Sequence, residues 1–417
     1  MYSMAEEKNT RLFITLMSID LAFTSIHEAF ARVEGSFSRQ IVEWFKVRVL
    51  IEVLFFLYIL ASSKKIRIYK PLSLLFLVGF GTGCVVGLLN GQVNSHFLLH
   101  AYSYAMPILM LGLSWFLIEG FDKCPGIKSQ LDKMVIFNVC IYIVCVVVFR
   151  IMCTKGLTNY NAYGAGTMYF LMPYLLFAMD LPILNLFAIL ACILCGKRSV
   201  LVVTMLLVFL FYTRKERSKN RRLFDWLLLI LGSVGLYVVY LKTNYFARIV
   251  LTIENLIGSN KNFEVASGGR ASEIELVFNL LNTNIVNWLV GHGFGVFVVL
   301  RYDSGTVVRG YSHLAPLGYV MVVGVFFAVA LYSYLFIRGL KLCCKRGKYY
   351  RMFGVYLLGF LLSSMFGASI ISEPKYWIII GMAYWYEKKK ERKNECINLY
   401  EKMEQGVFRT VGKEYLS

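Results

Sequence analysis

The sequence predicts an all-α polytopic membrane protein with about twelve transmembrane helices and one long extracytoplasmic loop bearing an amphipathic helix. Three observations predict it. Of the 417 residues, 58% are hydrophobic and only 17% are charged, whereas a soluble domain is about half apolar and about a quarter charged. Apolar runs of membrane-spanning length recur along the whole chain, and lipid offers no partner to an open strand edge, so helix is the expected element. Lys/Arg clusters then fall in alternate loops, the positive-inside pattern.

The runs come in order as Leu12–Ala31, Trp44–Ala61, Pro71–Asn90, Phe97–Ile118, Met134–Cys153, Thr167–Leu181, Pro182–Cys195, Val200–Tyr212, Leu223–Leu241, Leu314–Ile337, Phe353–Ile371 and Tyr376–Tyr386. The basic segments SSKKIRIYK, TRKERSKNRR, RGLKLCCKRGKYYR and EKKKERK follow the second, eighth, tenth and twelfth runs. All four therefore belong on one side, expected to be the cytoplasm, with both termini there too. Residues 167–195 would make about 43 Å as one helix at 1.5 Å per residue. We split them at Met179-Asp180-Leu181-Pro182, because one span would export every later basic cluster. The division is then residues 1–242 with nine spans, 243–311 as the outer loop, 312–386 with three spans, and 387–417 as a basic cytoplasmic tail. The location implied is a cytoplasmic membrane, with the first run staying as a signal anchor.

Composition also excludes several classes. A net charge of +19 would suggest nucleic acid in a soluble protein. Here the charge sits in short loops between apolar runs, so no nucleic-acid partner is expected. Of ten cysteines, Cys84, Cys140, Cys145 and Cys192 lie inside apolar runs, and no disulfide framework or paired zinc-binding spacing is present. Cys343 and Cys344 read as plain juxtamembrane thiols.

Three polar groups share the outer face in this topology. Gly196-Lys197-Arg198-Ser199 makes a basic turn between spans. Gly268-Gly269-Arg270 with Glu273 opens an amphipathic helix over Ile274–Val290. Gly291-His292-Gly293-Phe294-Gly295, a loop over 296–310 and His313 at the head of the tenth span follow. Ionisable groups at a membrane face are costly and need a reason. Each has a plain reading and a functional one. Lys197 and Arg198 are either snorkelling charges or a clamp for a diphosphate, whose oxygens match the planar guanidinium fork. Arg270 either pairs with Glu273 three residues on or binds the same anion. His292 is a turn residue or shapes a site, together with Gly291, Gly293 and Gly295. His313 either caps its helix or serves as a base near its own pKa. His27, His96 and His100 read as structural.

That order of elements resembles the O-antigen polymerase and ligase superfamily: basic turn, GR, amphipathic helix, GHGFG, then a histidine with a glycine eleven residues on. The ligase branch carries a His-Asn-x-x-Leu pattern leading to a glycine; His313, Leu317 and Gly324 match its spacing, and Leu314 stands where Asn is usual. The resemblance implies a membrane glycosyltransferase of GT-C type acting on undecaprenyl-diphosphate-linked glycans, without cofactor or metal. Donor and acceptor would both be lipid-linked, with a chain-length regulator and a flippase as further partners. It implies Arg270, Arg198 and Lys197 on the leaving diphosphate, and His313, with Glu273 second, as the base. A repeat-unit polymerase is the leading reading. The alternatives are a ligase onto lipid A-core and a lipid-linked oligosaccharide flippase or other transporter, although a transporter would more often show internal pseudo-symmetry and mid-membrane charge.

Overall fold

The computed structural model describes residues 4–30, 69–158, 163–164, 166–179, 181–212, 270–302, 305–310, 312, 314–365 and 376–392, plus scattered positions between them. In chain order the helices are α1 Met4–Phe30, α2 Lys70–Leu89, α3 Ser95–Lys123, α4 Pro125–Thr154, α5 Gly166–Tyr174 with a π turn Leu175–Met179, α6 Pro182–Leu194 and α7 Arg198–Tyr212. There follow α8 Ala271–Leu281, α9 Ile285–Val290, strands β1 Val298–Tyr302 and β2 Gly305–Arg309, α10 Ala315–Val323, α11 Val325–Cys344 and α12 Lys348–Met365. Last comes α13 over 376–392. The protein is a helical membrane protein. Among the described residues, five helices (α1, α2, α3, α4 and α11) are long and apolar enough to cross a bilayer. Most of the second and ninth apolar runs, and the first half of the outer loop, lie outside the described residues.

From α3 to α6 and from α11 to α13 the helices alternate in direction, and side-chain contacts at their ends fix this. At the near end, which holds the start of α1, the Cys124 thiol donates to Glu7 at 3.7 Å and the Tyr174 hydroxyl to Asp132 at 2.8 Å. Lys348 reaches the Ala178 carbonyl at 3.4 Å, and Lys345 and Arg338 both pair with the buried Glu387. At the far end, Arg150 Nε donates to the Leu194 carbonyl at 2.7 Å, and the Tyr163 N–H to that of Cys195 at 2.8 Å. The Tyr376 hydroxyl caps Gly166 there at 3.0 Å. Residues 166 and 195 thus share the far end while Ala178 lies at the near end, so α5 and α6 form an antiparallel hairpin. The turn falls where Pro182 cannot donate an N–H and takes the first helical turn of α6. The split expected at Met179–Pro182 is the one observed.

Aromatic rings fill the middle of the bundle. Phe76 of α2 meets Trp377 of α13 at 4.6 Å and Phe327 of α11 at 5.3 Å, both edge-on. Tyr104 of α3 lies 5.4 Å from Phe327. All four are buried, and edge-on geometry suits the ring quadrupoles.

Three expectations need correction. The bundle is mostly helical, but the stretch expected as a loop over 296–310 contains a two-stranded antiparallel sheet, 298–302 with 305–309, with Val299 opposite Val308 and Leu300 opposite Val307. The β-branched residues Val298, Val299, Thr306, Val307 and Val308 favour strand over loop. The single helix expected over Ile274–Val290 is two: α8 stops at Asn282, and Asn284 restarts the chain as the N-cap of α9, accepting from Val286 N at 3.0 Å. The tenth span is also interrupted, since α10 ends at Gly324, where φ is +89°, and α11 begins beyond it.

Candidate functional site at the far end of the bundle

The interruption at Gly324 organises the site. When α10 stops, its last carbonyls have no i+4 donor within the helix. The glycine loop supplies donors: His292 N–H bonds Met321 O at 2.8 Å and Gly293 N–H bonds Val322 O at 3.0 Å. The next two N–H groups are also taken. Phe294 donates to Gly83 O of α2 at 2.7 Å, and Gly295 to Nδ1 of His100 on α3 at 3.1 Å. Four successive backbone donors thus have protein acceptors, as buried non-helical backbone requires. Carbonyls are served too: Asn90 Nδ2 donates to His292 O at 3.0 Å and Asn94 Nδ2 to Gly295 O at 2.9 Å.

Glycine permits this approach. Gly291, Gly293 and Gly295 have φ of 72°, 85° and 91°, a region that side chains disfavour. The loop lies in a groove of α2, where a Cβ at Gly83 would overlap the Phe294 ring and one at Gly87 the Phe294 backbone oxygen. Phe294 is fully buried, between Phe80 at 5.5 Å, Phe97 at 5.7 Å and Tyr104 at 5.2 Å. The GHGFG segment is therefore a plug locked to α2, α3 and α10. His292 shapes it: its Nε2 donates to the Leu280 carbonyl at 3.0 Å, tying the loop to α8.

His100 joins this loop to the hairpin. A backbone N–H can only donate, so the Gly295 contact makes Nδ1 the acceptor. Nε2 then carries the proton and donates to the Gly310 carbonyl just after β2. The imidazole is neutral and fully engaged.

The charged centre sits at the N-terminus of α8. Its inner face repeats every four residues as Glu273, Val277 and Leu281, all buried. Glu273 is 1% exposed; its Oε2 accepts from Arg309 Nη1 at 2.8 Å and its Oε1 from the Ser312 hydroxyl at 2.8 Å. The first turn of a helix also favours a carboxylate. Arg270 occupies the N-cap position. Burial pulls its guanidinium below the usual value; Glu273 opposes that shift and Arg309 adds to it. Two cations and one anion thus share a partly desolvated corner. The outer face of this region is apolar, with Phe278, Ile285, Val286 and Leu289 exposed.

Of the residues singled out from sequence, Arg270, Glu273, His292 and the three glycines come together here. Lys197 lies in the turn between α6 and α7, and Arg198 is the first residue of α7, at the same end of the bundle. Arg150 sits beside that turn. His313 lies outside the described residues. Sequence reasoning missed Arg309, Ser312, Asn90 and Asn94, gave Phe294 no role within its segment, and read His100 only as structural. One signal was present for the groove: Gly79, Gly83 and Gly87 recur every fourth residue, the small-residue spacing that lets backbones approach. No protein-family model, curated protein or solved structure matches the chain.

Proposed function

We propose that the protein is a repeat-unit polymerase that joins undecaprenyl-diphosphate-linked glycans of a surface polysaccharide at the outer face of the bacterial cytoplasmic membrane. The observation that carries this reading is the corner where Arg270 and Arg309 converge on the buried Glu273. It holds an excess of positive charge where water is restricted, beside an apolar face fit for a lipid surface. An anion presented from the membrane, such as a lipid diphosphate, matches both properties.

In the proposed reaction an acceptor sugar hydroxyl attacks the anomeric carbon of the donor glycan. A new C–O bond forms, the bond to the diphosphate breaks, and undecaprenyl diphosphate leaves with the electron pair. Arg270 and Arg309, with Lys197 and Arg198 from the α6–α7 turn, stabilise the developing negative charge. His313 takes the hydroxyl proton. Glu273 acts as a positioning residue in this scheme, because both of its oxygens are already engaged by Arg309 and Ser312. A transporter reading has less support. A broken helix can line a substrate path in transporters, whereas the break at Gly324 is filled by the GHGFG loop.

The test is turnover of synthetic lipid-linked repeat units by the purified protein. Arg270→Lys keeps the charge and loses the bidentate fork, so products should shorten to single repeats at unchanged protein level. His313→Ala should lower the rate about a hundredfold or more. Wild-type chain lengths in Arg270→Ala would remove the diphosphate reading, and near-normal turnover in His313→Ala would move the base elsewhere.

A further inference from the structure

The opposite, near end of the bundle holds apolar hollows between its helices. Two small hollows adjoin there, of about 60 and 50 Å3, walled by α1, α3, α4, α5, α12 and α13. They share Phe121, Leu131, Met134, Phe170 and Met382 as a common wall. The larger runs along two turns of α12, from Tyr349 to Tyr356. Its surface is apolar because the tyrosine hydroxyls are used elsewhere: Tyr174 donates to Asp132 at 2.8 Å and Tyr356 to the Phe170 carbonyl at 2.5 Å.

An aromatic collar closes the near-end side. Tyr349 packs 5.7 Å from Phe121 and 5.8 Å from Tyr386. Two ammonium groups lie over these rings, Lys348 at 5.0 Å from the Tyr349 centroid and Lys390 at 5.8 Å from that of Tyr386. Neighbouring lysines are neutralised: Lys123 by Glu119 at 2.6 Å, and Lys345 by Glu387 and Glu391. Among the described residues neither Lys348 nor Lys390 contacts a carboxylate. The Asp132 carboxylate, the nearby anion on α4, accepts from Tyr174.

We propose that these hollows seat one anionic diacyl phospholipid, with the first methylenes of one acyl chain in each and the phosphate between Lys348 and Lys390. Two hollows under one basic collar suit a two-chain lipid better than a single polyprenyl chain. Aromatic rings with lysines at the end of a span belong at headgroup depth. A basic pocket between spans is the expected arrangement for anionic headgroups. The site is remote from the GHGFG loop and does not depend on the glycan reading.

Native mass spectrometry of the full-length protein tests it, after delipidation and exposure to micelles of phosphatidylglycerol, phosphatidylcholine of equal chain length, or undecaprenyl monophosphate. Wild type should retain phosphatidylglycerol in preference to phosphatidylcholine by roughly tenfold or more, given two lysines at the headgroup. Lys348→Gln/Lys390→Gln should erase the preference while leaving the fold intact. Met382→Trp, which fills both hollows, should reduce retention of both phospholipids. Equal retention by wild type, an unchanged preference in the double lysine variant, or displacement of phosphatidylglycerol by undecaprenyl monophosphate would each overturn the assignment.

Discussion

Glu273 is the residue on which the far-end site turns, and its surroundings make a testable claim about energy. A buried carboxylate that loses the guanidinium hydrogen-bonded to it keeps, among the described residues, only Arg270 as a neighbouring cation, a loss of about 1.5–3 kcal/mol. Arg309→Met should therefore lower thermal stability in detergent strongly. Glu273→Gln/Arg309→Met should be less destabilised than Arg309→Met alone, because the charge that needed a partner has gone. Ser312→Ala removes one hydrogen bond and should cost only about 1 kcal/mol. Equal stability of Arg309→Met and wild type would show that Glu273 is served by other groups. Part of this corner was legible in the sequence, since Arg270 and Glu273 stand three apart at a helix start and must be neighbours. Arg309 was not legible: it reaches Glu273 from 36 residues away, and only the fold of the intervening hairpin brings it there. His100 was hidden for a similar reason. It lies in an apolar run, and both of its ring partners, Gly295 and Gly310, come from the distant loop region.

Among the elements, the packing of the GHGFG plug against α2 makes the sharpest prediction, because two glycines of one helix have opposite surroundings. A Cβ at Gly87 would collide with the backbone oxygen of Phe294, which cannot swing away as a side chain can. Nothing lies within 4 Å of a Cβ at Gly81. Gly87→Ala should expel the loop, with loss of activity and easier proteolysis near residue 294. Gly81→Ala should be neutral or slightly stabilising, since alanine favours helix by up to about 1 kcal/mol. Phe294→Ala, emptying a fully buried ring site, should cost about 3 kcal/mol. Intact activity in Gly87→Ala would mean the loop does not seat in the groove. Periodicity exposed most long helices here but not their interruptions. Leu314–Ile337 is apolar throughout, so hydropathy reads across Gly324, and the break is stable only because an outside loop supplies the missing donors. The strand pair 298–302 and 305–309 was within reach, as both segments are rich in β-branched residues.

At the scale of the whole molecule, charge placement carried more of the architecture than hydropathy did. Length alone makes 167–195 ambiguous; the sidedness of the later basic loops required a hairpin, and α5 and α6 form one. The same logic distinguishes the two ends by charge. The near end gathers Lys345, Lys348, Lys388 and Lys390 around Glu387 and the aromatic collar. Among the described residues the far end holds fewer cations, arranged about buried partners. If the positive-inside rule orients the bundle, the near end faces the cytoplasm and the Arg270 corner faces out, where lipid-linked glycans would arrive. Single cysteines at Thr283 and Glu391, both exposed and at opposite ends, decide this in a variant whose native cysteines have been replaced. In intact cells a membrane-impermeant maleimide should label position 283 and not 391; in inverted vesicles the pattern should reverse. Labelling of 391 from outside would place the basic collar in the periplasm and the Arg270 corner in the cytoplasm, and the polymerase reading would fall with it. Labelling of both from one side would mean that the charge asymmetry does not set the orientation of this chain, and that the alternating helices described here do not all cross the bilayer.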